Sequence, residues 1–261
     1  MTKKLFKVSA VFVGFVFCLA CRAINSRMSA AVPKREEIAI KYTNRAPIER
    51  GEHISGVVDK ANTDEKLLVL TFDLCRGGYD EALINFLIEK QIPATVFMTG
   101  RWMHQNSECA AFLAKQSNFK TENHGFSHRP LCVNGCAAYG IEGTNNAGEA
   151  YDEVEKSVEM IQSLTGKSPV FFRSGTAFYD DVALDILKEL GVRAADYTIA
   201  GDEGATLSKE NILKKCTNPS NGAILLFHMN HPESDTGAAI EALIPTFLEK
   251  GFRFVHLEDV V

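Results

Sequence analysis

Side chains suited to acid–base or metal chemistry follow five separate apolar runs in this sequence. They are, in chain order, Asp73, the pair His124 and His128, Arg173, Asp202 and His228. One Asp or His at the end of a strand usually makes only a structural hydrogen bond. Five such positions from five strands instead predict one shared site, because the carboxyl ends of parallel strands meet on the same face of an α/β domain.

His124 and His128 lie four residues apart, just after one of these apolar runs. If this stretch forms a helical turn, both imidazoles project to the same side, as ligands of one divalent metal ion must. Two histidines and one carboxylate are a common catalytic ligand set that leaves positions open for water and substrate. The alternative is a pair of surface histidines in a loop, and the spacing alone does not decide between the two.

The elements that must position these residues alternate along the chain. Continuous apolar runs at 67–72 and 94–98 are typical of strands buried on both faces. Segments with helical apolar stripes, such as 103–115, separate these strands from others predicted at 119–123, 170–172, 194–199, 224–227 and 252–255. Seven strands alternating with helices predict a parallel α/β architecture, and both a barrel and an open doubly wound sheet fit this count. No glycine-rich phosphate loop follows the first strand, which disfavours a nucleotide-binding protein.

The bulk composition excludes two classes of protein. Hydrophobic residues make up 46% of the 261 and charged residues 23%, a globular composition that rules out intrinsic disorder. The net charge is −5, and the first 21 residues contribute three lysines and no acid, so the remainder carries −8. A body this acidic lacks the basic face of a nucleic-acid-binding protein, so no nucleic-acid partner is expected.

Residues 1–21 have the pattern of an export signal. Three lysines precede an uncharged apolar run over 8–20, which is shorter than the roughly 20 residues that span a bilayer. The residues around Cys21 resemble the end of a bacterial lipoprotein signal, which makes Cys21 a candidate for lipidation and membrane anchoring. The pattern therefore predicts a periplasmic or cell-envelope protein.

Residues 22–63 are polar, and we interpret them as a tether and a poorly ordered approach to a folded domain over 64–261. Within that domain, 129–146 is a long irregular segment rich in Gly and Asn. Long irregular loops in compact domains are usually functional, so this one is predicted to form a wall of a binding groove. Its cysteines, Cys132 and Cys136, fit a disulfide or two buried thiols better than a zinc site, because 64–261 has no second close cysteine pair.

The motifs and their order resemble the NodB-homology polysaccharide deacetylases, carbohydrate esterase family 4. Five short motifs occur in the family's order: Thr71-Phe72-Asp73, Asn123-His124 with His128, Phe172-Arg173, Asp202, and Leu225-Leu226-Phe227-His228. The segment 251–255 is similar to the family's closing strand. The resemblance runs from about Leu67 to Val261, and it implies an irregular parallel (β/α)7-type barrel, the NodB-homology fold.

The resemblance also implies a function. Members of this family are metal-dependent hydrolases that remove acetyl groups from N-acetylated glycans, here peptidoglycan or a surface polysaccharide. A divalent ion, expected to be zinc and bound by Asp73, His124 and His128, would polarise the acetamide carbonyl. The loop residue Tyr139 and Tyr179 of the third motif are expected to contact the glycan.

The acid–base roles are also implied by the resemblance. Asp73 would take a proton from the attacking water, and His228 would protonate the leaving amine. Arg173 would keep Asp73 ionised, since a nearby cation lowers the pKa of a carboxylate. Asp202 would do the converse for His228 and keep it protonated near neutral pH.

The sequence departs from the family at three positions. Leu74 stands where the family has a second acid that binds the metal. Either Asp73 moves into the metal shell, or Asp80 supplies the carboxylate, or the metal is bound weakly or not at all, and we favour Asp73. Gly125 replaces the usual Ser or Thr of the second motif, and the third motif lacks its proline after Arg173.

Two other functions fit the same sequence. One is a hydrolase of another amide or of an O-acetyl ester. The other is a glycan-binding protein that keeps the groove without the metal, which the loss of the acid at Leu74 favours. The retention of Asp73 and His228 opposes this last hypothesis, because a protein that only binds glycan needs neither a base nor an acid.

Overall fold

Parallel pairing dominates the strands of this chain. The computed structural model describes residues 32–261, and its strands are β1 (Arg50–Gly51), β2 (Leu67–Leu74), β3 (Ala94–Met98), β4 (Phe119–Asn123), β5 (Ala137–Ala138), β6 (Ile141–Glu142), β7 (Phe171–Phe172), β8 (Tyr179–Asp180), β9 (Arg193–Ala194), β10 (Ile199–Ala200), β11 (Ala223–His228) and β12 (Arg253–Val255). Every residue of β2 and β3 is buried, as expected for strands covered on both faces.

One curled sheet organises the domain. Seven strands follow each other in the order β10-β11-β2-β3-β4-β7-β9, and β12 pairs with the first residues of β2. All these pairs are parallel. The predicted α/β fold with an irregular parallel barrel is therefore confirmed, in the form of a curled half-barrel. The predicted strand over 194–199 was wrong, because β9 and β10 are two short strands with a loop between them.

Eight helices connect and cover the strands: α1 (Arg35–Tyr42), α2 (Glu81–Glu89), α3 (Gly100–Gln105), α4 (Ser107–Leu113), α5 (Ala147–Thr165), α6 (Asp181–Glu189), α7 (Lys209–Cys216) and α8 (Thr236–Glu249) within the described residues. The helix predicted over 103–115 is broken at Asn106, whose backbone leaves the helical conformation between α3 and α4. Gly166 ends α5 in the left-handed conformation, with φ of 71°, that favours glycine.

The segment before the sheet is part of the folded unit, which spans Pro33–Val261. Ile38 and Tyr42 of α1 are buried, Arg35 pairs with Asp152 of α5, and β1 pairs with β8. The interpretation of this part as a poorly ordered tether was therefore wrong from Pro33 onward. The predicted signal over 1–21, with Cys21, lies outside the described residues.

No helix within residues 32–261 has both the length and the apolar character needed to cross a bilayer.

Candidate active site

A groove of about 650 Å³ opens at the carboxyl ends of the central strands. Its volume lies within the roughly 300–1,000 Å³ typical of small-molecule sites. Its lining includes side chains that the sequence singled out, namely Asp73, His128, Tyr139 and His228. Parallel pairing explains the convergence, because the register of β2 and β11 sets Asp73 directly beside His228.

Asp73 is buried, and Arg173 fixes its carboxylate. Arg173 Nη1 donates to Asp73 Oδ1 at 2.8 Å and to Thr71 Oγ1 at 3.0 Å, and Nη2 donates to the backbone oxygen of Asp196 at 2.7 Å. The guanidinium also lies over the Phe97 ring, 4.1 Å from its centroid. Arg173 is fully buried and held on several sides, so it positions Asp73 rather than contacting a ligand itself.

The surroundings of Asp73 favour its ionised form. Burial alone raises the pKa of this carboxyl group. The opposing effects of His124, Arg173 and His228 are together larger, so the pKa lies below its usual value. Asp73 is therefore a carboxylate at neutral pH, as a general base must be.

Asp202 holds His228 at the end of β11, beside Asp73 of β2. The His228 ring nitrogen Nδ1 lies 2.9 Å from Asp202 Oδ1, and the His228 backbone N–H donates to Asp202 Oδ2 at 2.7 Å. The Thr236 hydroxyl donates to the same Oδ2 at 2.9 Å. Burial lowers the pKa of His228, but Asp202 and Cys75 raise it more strongly, so the pKa lies well above its usual value.

His124 and His128 lie close together, as their spacing predicts. Their ring centroids are 4.9 Å apart, and His124 Nδ1 lies 2.8 Å from the backbone oxygen of Arg173. The other ring nitrogen, Nε2, faces Cys75 and Asp73. The third member of the cluster is Cys75, since one donor atom from each of the three residues lies within 4.8 Å of the other two.

The ligand set predicted from the sequence, Asp73 with His124 and His128, stays a prediction. Asp73 Oδ2 is 3.5 Å from His124 Nε2, but among residues 32–261 the one group of three such donors contains Cys75 and not Asp73. Nitrogen and sulfur donors of this kind fit zinc or a similar ion. Sequence reasoning missed Cys75 because a single cysteine after a strand resembles a small core residue.

Cys75 has the surroundings of a thiolate. Burial raises the pKa of its thiol, but His128 and His124 beside it outweigh that effect. The pKa of Cys75 is therefore well below its usual value. The pKa of His124 is raised in turn, because Asp73 and Cys75 outweigh the effect of burial.

Neither position 74, where the family has an acid, nor Asp80 places a carboxylate beside Cys75, His124 and His128. Leu74 is fully buried in the apolar core, so its side chain points away from the groove. Asp80 caps α2, where its Oδ1 accepts the backbone N–H of Leu83 at 2.9 Å. Asp80 is therefore accounted for by helix capping.

The position of Glu153 explains why glycine stands at position 125. Gly125 has φ of 78°, and a β-carbon at this position would lie 2.5 Å from Glu153 Oε1. That oxygen accepts the backbone N–H groups of Ser127 and Arg129, at 2.8 and 3.2 Å, and so orders the turn that carries His128. A buried carboxylate here occupies the space of the side chain that the family pattern has at Gly125.

The long loop forms one wall of the groove, as predicted. Cys132 and Cys136 form a disulfide, one of the two alternatives that the sequence left open. The hairpin β5–β6 that follows turns at Tyr139 and Gly140, both with positive φ. Tyr139 is exposed and lines the groove.

Two residues that the sequence did not single out hold this wall. The Tyr139 hydroxyl donates to Glu52 Oε1 at 2.5 Å, and the Tyr197 hydroxyl donates to Glu52 Oε2. Glu52, burial and neighbouring acids raise the pKa of Tyr139 to about 12. The segment before the sheet thus contributes to the rim of the site, a contact with no signal in the local sequence.

The prediction that Tyr179 contacts the glycan was wrong. Tyr179 is fully buried, and its hydroxyl bonds to the backbone oxygens of Phe172 and Ala195 and to the backbone N–H of Ser174. It therefore braces the backbone beside Arg173 and does not reach the groove.

Comparison with known proteins shows which family this chain belongs to. A sequence model of polysaccharide deacetylases matches residues 60–195. Peptidoglycan-N-acetylglucosamine deacetylase of Bacillus cereus is 24% identical over 263 aligned positions, which cover 96% of this chain and 88% of that protein. An uncharacterized protein of Bacillus subtilis is 23% identical, and the match covers 74% of this chain but only 56% of that relative.

A solved structure shares the fold. A CE4 family pseudoenzyme from Bacillus anthracis superposes with a TM-score of 0.67 at 21% identity, over 79% of this chain and 69% of that chain. At 21% identity this likeness shows the fold alone.

Proposed function

Because the chain belongs to the polysaccharide deacetylase family, we propose that it hydrolyses the acetamide of an N-acetylated glycan with the help of a divalent metal ion. The observation that carries the proposal is that two charge contacts lie side by side in one groove. Arg173 lies 2.8 Å from Asp73, and Asp202 lies 2.9 Å from His228. A base held ionised and an acid held protonated are what amide hydrolysis requires.

Asp73 acts as the general base in this proposal. A bound divalent ion would polarise the acetamide carbonyl and lower the pKa of water, with His124 and His128 among its ligands. Asp73 takes a proton as water attacks the acetyl carbon. Arg173 keeps the carboxylate ionised and in place before the attack.

His228 acts as the general acid. When the carbon–nitrogen bond breaks, its protonated ring gives a proton to the leaving nitrogen, so that acetate and an amino sugar are released. Asp202 orients the ring through Nδ1, so Nε2 is the nitrogen that gives the proton. Because Thr236 and the His228 backbone fix the same carboxylate, the acid is preorganised for this step.

The substrate class follows from the groove and from the relatives. Tyr139 offers an exposed aromatic face at the rim, which suits the apolar face of a sugar ring. The Bacillus cereus relative is named for peptidoglycan N-acetylglucosamine, so peptidoglycan is the first substrate to test. The acidic body of the protein fits an uncharged acetylated glycan better than a polyanion.

A glycan-binding function without catalysis is the second candidate. The absence of an acid at Leu74 favours it, and the B. anthracis protein of the same fold is described as a pseudoenzyme. The buried Asp73–Arg173 pair opposes it, since burying charges is costly and binding alone would not require them.

We also propose that the protein is exported. The basic and then apolar residues 1–21 support this proposal, and the Cys132–Cys136 disulfide fits an oxidising compartment. Cys21 is the proposed lipid anchor. Incorporation of a labelled fatty acid into the native chain, lost in Cys21→Ser, is the expected result. If neither chain takes up the label, the lipid anchor is refuted and secretion without lipidation remains.

Acetate release tests the enzymatic proposal. The zinc-loaded protein should release acetate from peptidoglycan or from N-acetylglucosamine oligomers, and His228→Gln should release at least about 100-fold less. Binding of the same oligomers is measured in parallel by calorimetry. Tight binding by the zinc-loaded wild type with no acetate released would replace the enzymatic proposal with the binding one.

A further inference from the structure

Cys75 occupies a ligand position relative to His124. Its sulfur lies 3.5 Å from His124 Nε2. In a tetrahedral zinc site, bonds of about 2.3 Å to sulfur and about 2.0 Å to nitrogen separate these two atoms by about 3.5 Å. The two donors are therefore already at the spacing of neighbouring ligands, with His128 as the third member of the group.

The orientation of His124 supports the same conclusion. Its Nδ1 lies 2.8 Å from the Arg173 carbonyl oxygen, to which it donates, so in the neutral ring the lone pair is on Nε2. A backbone carbonyl on the far nitrogen is the usual partner of a metal-binding histidine. The lone pair faces Cys75, so the ring is oriented for an ion shared with the sulfur.

The nearby carboxylates have other partners. Position 74, where the family pattern has a carboxylate, is occupied by Leu74. Asp80 caps a helix, and Asp202 is held by His228 and Thr236. Asp73 is held by Arg173 through Oδ1. Asp73 can act as the general base more readily if another side chain is the third metal ligand.

We infer that Cys75 is a thiolate ligand of the metal, in place of the carboxylate that the family pattern has at the preceding residue. The inference rests on the proposed metal-dependent function and specifies its ligand set as Cys75, His124 and His128. A thiolate is a soft ligand, so the site selects zinc, cobalt or cadmium over magnesium and manganese.

Cobalt substitution tests the ligand directly. The full chain is stripped with a chelator, reloaded with Co²⁺ and examined for the near-ultraviolet charge-transfer band of a cobalt–thiolate bond. The wild type should show the band, and Cys75→Ser should lose it. Cys109→Ser is the matched control, because Cys109 is also a free thiol but lies in α4, and it should keep the band.

The preference for one metal over another gives a second test, because a change in preference cannot result from unfolding. Cys75→Asp restores a carboxylate one residue later than the family has it. Its affinity for Cd²⁺ should fall by on the order of 10- to 100-fold, while its affinity for Mn²⁺ stays the same or rises. A circular dichroism spectrum equal to that of the wild type shows that the variant is folded.

The outcomes separate this inference from the proposed function. Stoichiometric Co²⁺ without a thiolate band, or unchanged Cd²⁺ affinity in both Cys75 variants, would overturn the inference. Acetate release by such a protein would leave the deacetylase proposal standing. A thiolate band with no acetate released from any N-acetylated glycan would refute the deacetylase proposal and leave Cys75 as a ligand.

Discussion

Leu74 and Cys75 are consecutive residues whose side chains point to opposite sides of the end of β2. Leu74 is fully buried among apolar side chains, whereas the Cys75 sulfur lies 3.5 Å from His124 Nε2. Alternation along a strand explains the opposite directions. A ligand at Cys75 and a ligand at Leu74 are therefore not interchangeable in this chain.

Leu74→Asp should destabilise the protein rather than repair a metal site. A carboxylate there would be buried among apolar groups without a partner, which we expect to cost about 3 kcal/mol or more. Urea denaturation measures the loss, and Leu74→Met, which keeps the volume, should cost less than about 1.5 kcal/mol. A stable Leu74→Asp protein with tighter zinc binding would contradict the position described for this side chain.

His124→Ala and His128→Ala should each abolish tight binding of a divalent ion. Each removes one of three donors, and we expect affinity to fall by on the order of 100-fold or more. Calorimetric titration with Zn²⁺ measures this loss. His104→Ala removes an exposed histidine of α3 and should bind as the wild type does. Equal affinity in all four proteins would exclude the histidine site.

Asp73→Asn should lose turnover and keep its metal. Removing a general base typically costs on the order of 10²- to 10⁴-fold in kcat. The zinc content after dialysis should match that of the wild type, because the ligand set excludes this residue. Asp64→Asn, at an exposed position, is the control for loss of a charge. If zinc and turnover disappear together, Asp73 is itself a ligand, as the sequence first suggested.

Asp202→Asn should move the alkaline limit of activity to lower pH. The folded-state pKa of His228 is raised, chiefly by Asp202 against the effect of burial, and the acid acts only while it is protonated. Activity is therefore lost as pH rises through that pKa. Without the carboxylate the pKa falls, and kcat/KM should decline earlier on the alkaline side. An unchanged alkaline limb would mean that His228 is not the acid.

Asp196→Asn should stabilise the protein at high pH. Burial, Glu52 and Asp73 together outweigh Arg173 and raise the pKa of Asp196 to about 8, against about 3.9 for an unfolded chain. The folded state therefore retains a proton that the unfolded state loses, so stability falls between about pH 4 and pH 8.

Urea denaturation at pH 5 and pH 8.5 tests the Asp196 prediction. Asparagine imitates the protonated acid, so the variant should gain up to a few kcal/mol over the wild type at the higher pH and much less at the lower. A difference that does not change with pH would show that Asp196 titrates normally.

The elements that sequence predicted best are those whose burial is uniform. The continuous apolar run of β2 and the acid directly after it indicated both a central strand and a site residue. Helix α1 was missed because only Ile38 and Tyr42 of its eight residues are buried, so its local pattern is weak. Its order depends on contacts with α5 and Glu189, which are distant in the sequence.

Some site residues could be predicted from the sequence, and others depend on tertiary contacts that the sequence does not reveal. Four predicted residues lie at or just after the carboxyl ends of strands, and these ends converge in any parallel sheet: Asp73, Arg173, Asp202 and His228. Tyr179 lies in a motif, yet its hydroxyl is used by the backbone, which a motif cannot reveal. Glu52 reaches Tyr139 across 87 positions of sequence, and only the tertiary fold brings them together.

The contact between Gly125 and Glu153 constrains the order in which this sequence could change. A serine at position 125, as in the family pattern, would meet a carboxylate that two backbone N–H groups hold in place. Gly125→Ser is therefore harmful, because of this contact and because φ of 78° strains a residue with a β-carbon. Shortening Glu153 first leaves those two amides without an acceptor. Neither single step is neutral, so the two positions are coupled in evolution. A return to the family's usual motif therefore needs a change of backbone conformation at position 125 as well as a change at Glu153.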